Sequence, residues 1–429
     1  LETADGAPLS EKIALVTDLI SIDEARRRVL DAVTPLGDEP VPIDAALGRV
    51  LAEQVTSPIA VPPFDSSSMD GYAVVAGPAA ELSVIGEARA GRPWVGTLVS
   101  GSAVRISTGA VVPEGASAVV PIERTTALKN GDSGDGFQLS RDIGGKAGID
   151  RVSVPETAAG ANIRRAGEDI PLNAVVLEPG TNLGPAELGV AASVGRAELR
   201  CARRPRVKVL VTGDELTEPG APLAPGGIYS SNGFALAALV ERAGAELAGR
   251  ATIRDDHQST SDSIAAALEE ADVVIVSGGV SVGPHDHVKP ALRELGVEER
   301  FWGVSLRPGK PVWFGVRGGT LAFGLPGNPV SAMVTFQLFA RPALAALQGG
   351  ATEPRRATAR LAEAIPRHPH REQAVRVRLR DGEDGLVAET TGAQGSHVLT
   401  SMLGAEALAL IDPGEGDAAE GERVEVELL

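Results

Sequence analysis

Between residues 206 and 346 strand-like and helix-like segments alternate, and that pattern constrains the fold more than any other feature of the chain. Runs rich in Val, Leu and Ile at 206–212, 247–253, 272–277 and 320–324 are interleaved with helical stretches at 232–242, 261–271, 285–295 and 328–347. Such alternation predicts a mostly parallel sheet covered on both faces by helices. Apolar runs such as Ala235 to Val240 stop far short of the roughly 20 residues needed to span a bilayer, so no membrane association is expected.

Three of these strands end in glycine-rich turns: Leu210-Val-Thr-Gly-Asp-Glu215, Val276-Ser-Gly-Gly-Val-Ser-Val-Gly283 and Phe323-Gly-Leu-Pro-Gly-Asn-Pro329. In open α/β sheets ligands bind outside the carboxyl ends of the strands. Glycine there lets the backbone approach a ligand, and free N–H groups suit phosphates and other anions. A single glycine after a strand is most often only a turn; three in one sheet point to a binding edge. Asp214, Glu215, Asp255, Asp256 and Asp286 sit on or beside these turns, and Asp70 lies in Met69-Asp-Gly-Tyr-Ala73. Each alone reads as a cap or a solvated acid, but carboxylates gathered near a phosphate site usually hold Mg²⁺.

Arg307-Pro-Gly-Lys-Pro311 supplies two cations on a proline-flanked bend. Loop cations are usually solvated, yet Phe301, Trp302, Val312 and Trp313 around these imply burial nearby. Pro284-His285-Asp286-His287 looks like a metal signature, but positions two apart on a helix point to different sides. No zinc spacing of Cys and His, no Gly-x-Ser-x-Gly elbow and no Gly-Lys-Ser/Thr phosphate loop is present.

The 429 residues exceed one ordinary core, so several domains are expected. Ser21-Ile22-Asp23-Glu24 is a capping box, and Ile22, Ala25, Val29, Ala32 and Val33 share one helical face. A second short helix is expected from Asp44 through Leu47, Val50 and Leu51. From 58 to 154 short β-like runs recur at 72–75, 82–85, 103–106 and 118–120, interrupted by a flexible, Gly- and Asp-rich loop at 129–151. Helical texture returns at 185–194. The expected layout is a linking helical and mixed domain at 10–57 and 155–203, an inserted β-rich domain at 58–154, and an α/β domain at 204–348. A small C-terminal β-barrel or sandwich follows at 353–429, where Val375, Val377 and Leu379 alternate with Arg376, Arg378 and Arg380.

Net charge is −17, which argues against nucleic acid as a partner. The single cysteine, Cys201, cannot form an internal disulfide, and residues 1–20 lack a basic segment followed by an apolar one. A cytoplasmic protein without a signal peptide is expected.

Collinear motifs from about residue 20 onward resemble the molybdopterin molybdenumtransferases, the MoeA family, which is related to the gephyrin E domain. They are Pro63-Phe-Asp-Ser-Ser-Ser-Met-Asp-Gly-Tyr-Ala73, Ser107-Thr-Gly-Ala110 with Pro113-Glu-Gly115, and Asn162-Ile-Arg-Arg-Ala-Gly-Glu-Asp-Ile170. Thr212-Gly-Asp-Glu-Leu216, Ser277-Gly-Gly-Val-Ser-Val-Gly283 and Pro308-Gly-Lys-Pro311 follow, then Gly324-Leu-Pro-Gly-Asn-Pro-Val-Ser331 and Gln394-Gly-Ser-His397.

The resemblance implies an elongated homodimer of four-domain subunits with a central α/β molybdopterin-binding domain. It implies insertion of molybdenum, from molybdate, into adenylylated molybdopterin, with Mg²⁺ as cofactor and AMP as by-product. Molybdopterin adenylyltransferase and molybdoenzymes become candidate partners. By motif position, Asp70, Thr108, Glu215, Asp255 and Asp286 match catalytic positions, Asp255 and Asp286 also as metal ligands. Arg164, Asp169, Thr212, Gly213, Ser277, Gly278, Gly279, Gly324, Pro326, Gly327 and Asn328 match substrate-binding positions. Arg307, Lys310, Ser331, Arg376 and Ser396 match the groups proposed to hold molybdate. The chain departs from the pattern at Gly303 and Arg307, where relatives often carry lysine. Alternatives of the same fold are an enzyme that adenylylates molybdopterin and a non-catalytic scaffold. Retention of Asp70, Glu215 and Asp286 favours catalysis.

Overall fold

The computed structural model describes residues 19–128, 151–281 and 286–429. The loop expected at 129–151, apart from Arg151, lies outside these residues, as do His285 and residues 10–18 of the linking domain. Contacts divide the chain into two compact units. One holds the described residues up to Glu53, Pro179–Gly184 and Glu198–Leu429; the other holds Gln54–Glu178 and Pro185–Ala197.

The first unit is built around a six-stranded sheet. Its strands, numbered here in chain order, are β1 (Arg206–Thr212), β2 (Glu246–Ile253), β3 (Val273–Ser277), β4 (Glu298–Trp302), β5 (Trp313–Arg317) and β6 (Thr320–Leu325). The order across the sheet is β2-β1-β3-β6-β5-β4. The β2–β1, β1–β3 and β3–β6 pairs are parallel, while β5 and β4 run antiparallel at one side. All five residues of β3 are buried, as a strand covered on both faces requires.

Alternate side chains feed two cores. Val207, Val209, Val211, Val273 and Ile275 pack with the helices Ile22–Leu30, Asn232–Arg242 and the long helical stretch after β6. Leu210, Val274 and Val276 pack with the helices His257–Glu270 and Val288–Glu294. The expected strands are all present. Two strands are additional, β5 and β4, and β4 was hidden in sequence by its Glu298-Glu-Arg300 start, which suits a half-exposed edge position.

Helix ends differ more. The helix expected from 261 starts at His257, because the Asp256 carboxylate accepts a hydrogen bond from the Ser259 N–H and caps it. The helix expected from 285 starts at Val288. The stretch Pro329–Leu347 is long and apolar enough to cross a membrane but is mostly buried within the protein, and a π-helical segment, Phe336–Ala340, interrupts it. The short helix expected from Asp44 is absent. Only a 3₁₀ turn, Ile43–Ala45, forms there; Gly48 takes φ +72°, and Val50 and Leu51 instead form bridges to Asn182 and Cys201.

Ser21 caps the first helix, its hydroxyl accepting from the Glu24 N–H at 3.1 Å. Ile22, Ala25 and Val29 are buried, as their spacing predicts. Arg26 on the same helix is also buried and donates twice to Glu427 of the last strand, at 3.1 and 3.0 Å, and once to the Leu338 carbonyl at 3.2 Å.

C-terminal strands Arg356–Leu361, Glu372–Gly382, Gly385–Thr390, Ala407–Ile411 and Arg423–Leu428 pair around a closed five-stranded barrel. Val375 and Val377 point into it with Ala388, Ala409 and Val426. Arg378 and Arg380 are exposed, as alternation predicts, but Arg376 is only 1 % exposed. The short strand Leu306–Arg307 joins the barrel edge, running parallel to Glu372 and Gln373.

The second unit carries its own six-stranded sheet, which contains Gly71–Val74, Ala80–Ala88, Ser102–Ile106 and Ala118–Pro121. Gly71, within the Asp-Gly-Tyr-Ala motif, is dictated by close approach: a Cβ there would stand 1.9 Å from the Val120 carbonyl oxygen. The helix Pro185–Ser193 completes this unit.

Candidate active site

β1, β3 and β6 end level with one another, because Val211 pairs with Ser277 and Ser277 with Leu325. Their glycine turns therefore emerge at one edge of the sheet. Gly278 and Gly279 take φ +100° and +63°, and both are walled in. A Cβ on Gly278 would stand 2.5 Å from Thr212 Oγ1, and one on Gly279 would stand 2.8 Å from Val288 Cγ2. The turns are also tied together. The Gly278 N–H donates to the Leu325 carbonyl at 3.0 Å, and the Ser277 hydroxyl to the Pro326 carbonyl at 3.0 Å. Asn232 closes the network by donating to Ser277 Oγ at 2.9 Å and to the Gly327 carbonyl at 2.8 Å.

Asn232 is a site residue that sequence reasoning missed. Its only signal was its place at the start of the helix that follows the first glycine turn, where an Asn reads as a cap. Thr212, Ser277, Gly324 and Pro326 are buried under the edge, whereas Gly327 and Asn328 are exposed on it.

Acids gather on the β1–β2 side. The Asp255 N–H donates to Asp214 Oδ1 at 3.1 Å. Burial raises the Asp255 carboxyl pKa, and Asp214, Glu215 and Asp286 raise it further, against an opposing effect of His287. The Glu215 carboxylate folds back over Gly213, where a Cβ would meet it at 2.7 Å. Asp256 is accounted for as a helix cap. The His287 ring meets His257 edge to face at 6.2 Å, and His257 Nε2 lies 3.1 Å from a Glu294 carboxylate oxygen.

Among the described residues no three Asp, Glu, His or Cys side chains converge to hold a metal ion. The repelling, part-buried carboxylates nevertheless suit a cation, and Mg²⁺ commonly takes one or two carboxylates with phosphate oxygens completing its shell. The donor set fits a site completed by substrate rather than one formed in advance.

The structure does not bring the predicted cations into contact: the charge of Arg307 acts on His368 and Arg371, whereas Arg376 is shifted by burial alone. The Arg376 guanidinium is buried, and its partners are the Ser401 hydroxyl at 3.2 Å and the carbonyls of Ala374 and Gly395 at 3.5 and 3.4 Å. None is a carboxylate, and burial lowers its pKa to about 10. The neighbouring Ser396 carbonyl accepts from the Val330 N–H at 3.2 Å, so the Gly395–Ser396 loop links Arg376 to the chain that follows the third turn. Ser331 is buried at the start of that helix.

Arg307 is exposed and Lys310 half-buried. The bend between them packs closely, since a Cβ on Gly309 would stand 2.5 Å from Thr335 Cγ2. The charge of Arg307 reaches His368 and Arg371 on the barrel; burial, then Arg371, then Arg307 lower the His368 pKa. At Gly303 φ is +87° and a Cβ would meet Leu19 Cδ2 at 2.7 Å, so any side chain there would be strained.

In the second unit Asp70 Oδ1 accepts from the Thr108 N–H at 2.7 Å and from its hydroxyl at 3.2 Å, so this pair is brought together. Arg164 is exposed on a two-residue strand, Ile163–Arg164, that pairs with Ser66–Ser67. Asp169 lines a hollow of about 490 Å³ with Ile170, Val176, Ala186, Gly189, Val190 and Ser193.

A sheet edge of glycine turns, with carboxylates beside the first and a buried arginine linked to the chain after the third, marks an α/β domain joined to a closed β-barrel. Comparison with known proteins is specific. Residues 20–195 match the MoeA N-terminal region (domain I and II), 208–346 a probable molybdopterin binding domain, and 358–429 the MoeA C-terminal region (domain IV). The chain is 36% identical over 420 residues to a molybdopterin molybdenumtransferase of Haemophilus influenzae, covering 95% of this chain and 98% of that one. It is 37% identical over 422 residues to molybdopterin molybdenumtransferase 2 of Mycobacterium tuberculosis, with the same coverage. Among solved structures, a molybdopterin biosynthesis MoeA protein from Pyrococcus horikoshii superposes with a TM-score of 0.79 at 28% identity, over 96% of this chain and all of the other. The chain belongs to the MoeA family of molybdopterin molybdenumtransferases.

Proposed function

We propose that this protein inserts molybdenum, taken from molybdate, into molybdopterin presented as its adenylate, and releases AMP. The observation that carries the reading is the sheet edge itself: three glycine turns end level, the second and third tied by Asn232 and Ser277, with carboxylates around Asp255 and a buried arginine, Arg376, whose loop bonds to the chain after the third turn. Phosphate oxygens of the substrate suit the turns around Gly213, Gly278, Gly279 and Gly327, whose backbone can approach them closely. Asp255 and Asp286 would hold Mg²⁺, which when bound would offset charge on the phosphoanhydride.

Molybdate is a tetrahedral dianion and wants fixed donors and positive charge. Arg376, held by Ser401 and two carbonyls, is pre-oriented and has no carboxylate to compete with such a guest. Ser331 and Ser396 lie along the same loop connection, and Arg307 and Lys310 add charge from the bend. The match to relatives over 95% of the chain supports insertion over the adenylylating alternative.

Cytoplasmic location and a homodimer belong to the same proposal. The Asp70–Thr108 pair and the glycine turns lie in different units, and a dimer that needs both is testable. Mixing Asp70→Ala with Asp286→Ala chains should restore part of the activity. The decisive assay incubates the purified protein with adenylylated molybdopterin, molybdate and Mg²⁺, and follows AMP and molybdenum cofactor together. Absence of molybdate-dependent AMP release would refute the reading.

A further inference from the structure

We propose that Lys289 and Trp302 are positioning residues that hold the second glycine turn in its binding conformation. The proposal rests on the reading that this turn receives the phosphate of the pterin substrate. The Trp302 indole N–H donates to the Val280 carbonyl at 3.0 Å. The Lys289 ammonium donates to the next carbonyl, that of Ser281, and sits 4.4 Å from the centroid of the Trp302 ring. Two consecutive carbonyls of the turn are thus held by two side chains that also bind each other through a cation–π contact.

The geometry has a consequence for the ligand. In a trans peptide the N–H points opposite to the C=O. Anchoring the Val280 carbonyl to Trp302 therefore turns the Ser281 N–H away from Trp302. Among the described residues no group accepts from the amides of Gly279, Val280 or Ser281, and consecutive amides in such a turn suit an anion. The rest of the clamp is apolar. Val288, the neighbour of Lys289, closes over Gly279, and the buried side chain of Val280 packs where a Cβ on Gly324 would lie, at 2.6 Å. The turn can therefore shift only if the Lys289–Trp302 pair releases it. Trp302 reaches this position because β4 pairs with β5 through Trp302 and Trp313, level with Gly324.

The test measures KM for adenylylated molybdopterin, KM for molybdate and kcat in Lys289→Met, Lys289→Arg, Trp302→Phe and the double variant Lys289→Met with Trp302→Phe. Loss of a charge-assisted hydrogen bond to the turn should raise the pterin KM about tenfold or more in Lys289→Met. Molybdate KM should stay at its wild-type value, and kcat should stay within about threefold. Lys289→Arg, which keeps charge and donor, should recover most of the loss. Because the two residues act as one device, the double variant should be little worse than the weaker single variant.

A fall in kcat at unchanged pterin KM would show that Lys289 serves the chemical step and would overturn the proposal. So would multiplying losses in the double variant, or a Lys289→Met protein indistinguishable from wild type. Gly279→Ala separates the two levels of argument, because its side chain collides with Val288 inside the turn itself. If pterin affinity survives Gly279→Ala, the turn is not the pterin site, and both the site reading and the clamp fall. If Gly279→Ala removes affinity but Lys289→Met does not, the clamp alone is wrong.

Discussion

Replacing Arg376 with methionine should make the protein more stable and at the same time unable to use molybdate. The guanidinium is buried, has no carboxylate bonded to it among the described residues, and has its pKa pushed down to about 10. At about 1.4 kcal/mol per pKa unit, holding that charge out of water costs about 3 kcal/mol. Its three hydrogen bonds, at 3.2, 3.5 and 3.4 Å, are long and return only part of this. Ser401 keeps its own bond to the Val398 carbonyl at 2.7 Å whether or not the arginine is present. Methionine fills the space of the aliphatic stem, so the net gain should be about 1–2 kcal/mol, measured as a higher urea midpoint at low ionic strength and without oxyanions. Molybdate should reverse the ranking. At about a hundred times its Kd it should stabilise the wild type by about 2.7 kcal/mol and leave Arg376→Met unmoved. A variant that loses more than about 1 kcal/mol without anions, or that gains as much from molybdate as the wild type, would refute the account of Arg376 as an unpaired charge kept for a guest.

Burial first, then the charges of Asp412, Asp23 and Glu427, push the Glu372 carboxyl up to about 7 against an opposing effect of Arg26. Protonated when folded but ionised when unfolded, it should make stability fall as pH rises from about 4.5 to about 7; Glu372→Gln should remove that slope and exceed the wild type by about 2 kcal/mol at about pH 8, and equal slopes in thermal melts across this range would contradict it. Arg307→Ala and Lys310→Ala should each raise the molybdate requirement for AMP release about tenfold to a hundredfold while pterin affinity changes far less; equal losses for both ligands would assign these cations to the phosphate. Asp286→Asn should keep its fold by circular dichroism yet lose turnover, and titration should show that Mg²⁺ no longer restores it; wild-type turnover would dispose of the metal role.

Much of the α/β domain could be read from sequence because a parallel strand buried on both faces is an unbroken apolar run. Arg206–Thr212 was legible to the residue for that reason, and the helix Asn232–Arg242 matched its expected bounds as well. β4 was not, since an edge strand beginning Glu-Glu-Arg shows no such run. The helix at 44–51 was misread because Val50 and Leu51 have helical spacing from Leu47, yet Gly48 turns the chain and long-range bridges claim them. The same limit governs the site. Glycine turns announce themselves locally, but the bonds from Asn232 and Trp302 cross between separate elements, and even the nearer bond from Lys289 follows no local pattern. Arg376 sat in a strand of alternating arginines, and only barrel closure distinguishes it from its exposed neighbours Arg378 and Arg380.

The tie between Arg26 and Glu427 spans 401 residues, and this sets an order on the birth of the protein. On the ribosome, where domains generally fold as units from the N-terminal side, the unit made of 54–178 and 185–197 has all its own residues once Ala197 has emerged. The first helix, made earlier, must wait with Ile22, Ala25 and Val29 uncovered until the strands and helices of the α/β core arrive. Arg26 waits longer still, because Glu427 follows the whole α/β core in the chain. A nascent chain therefore carries an uncovered apolar stripe on this helix until the strands and helices that bury it have been made. That stripe is where a chaperone has the longest opportunity to bind.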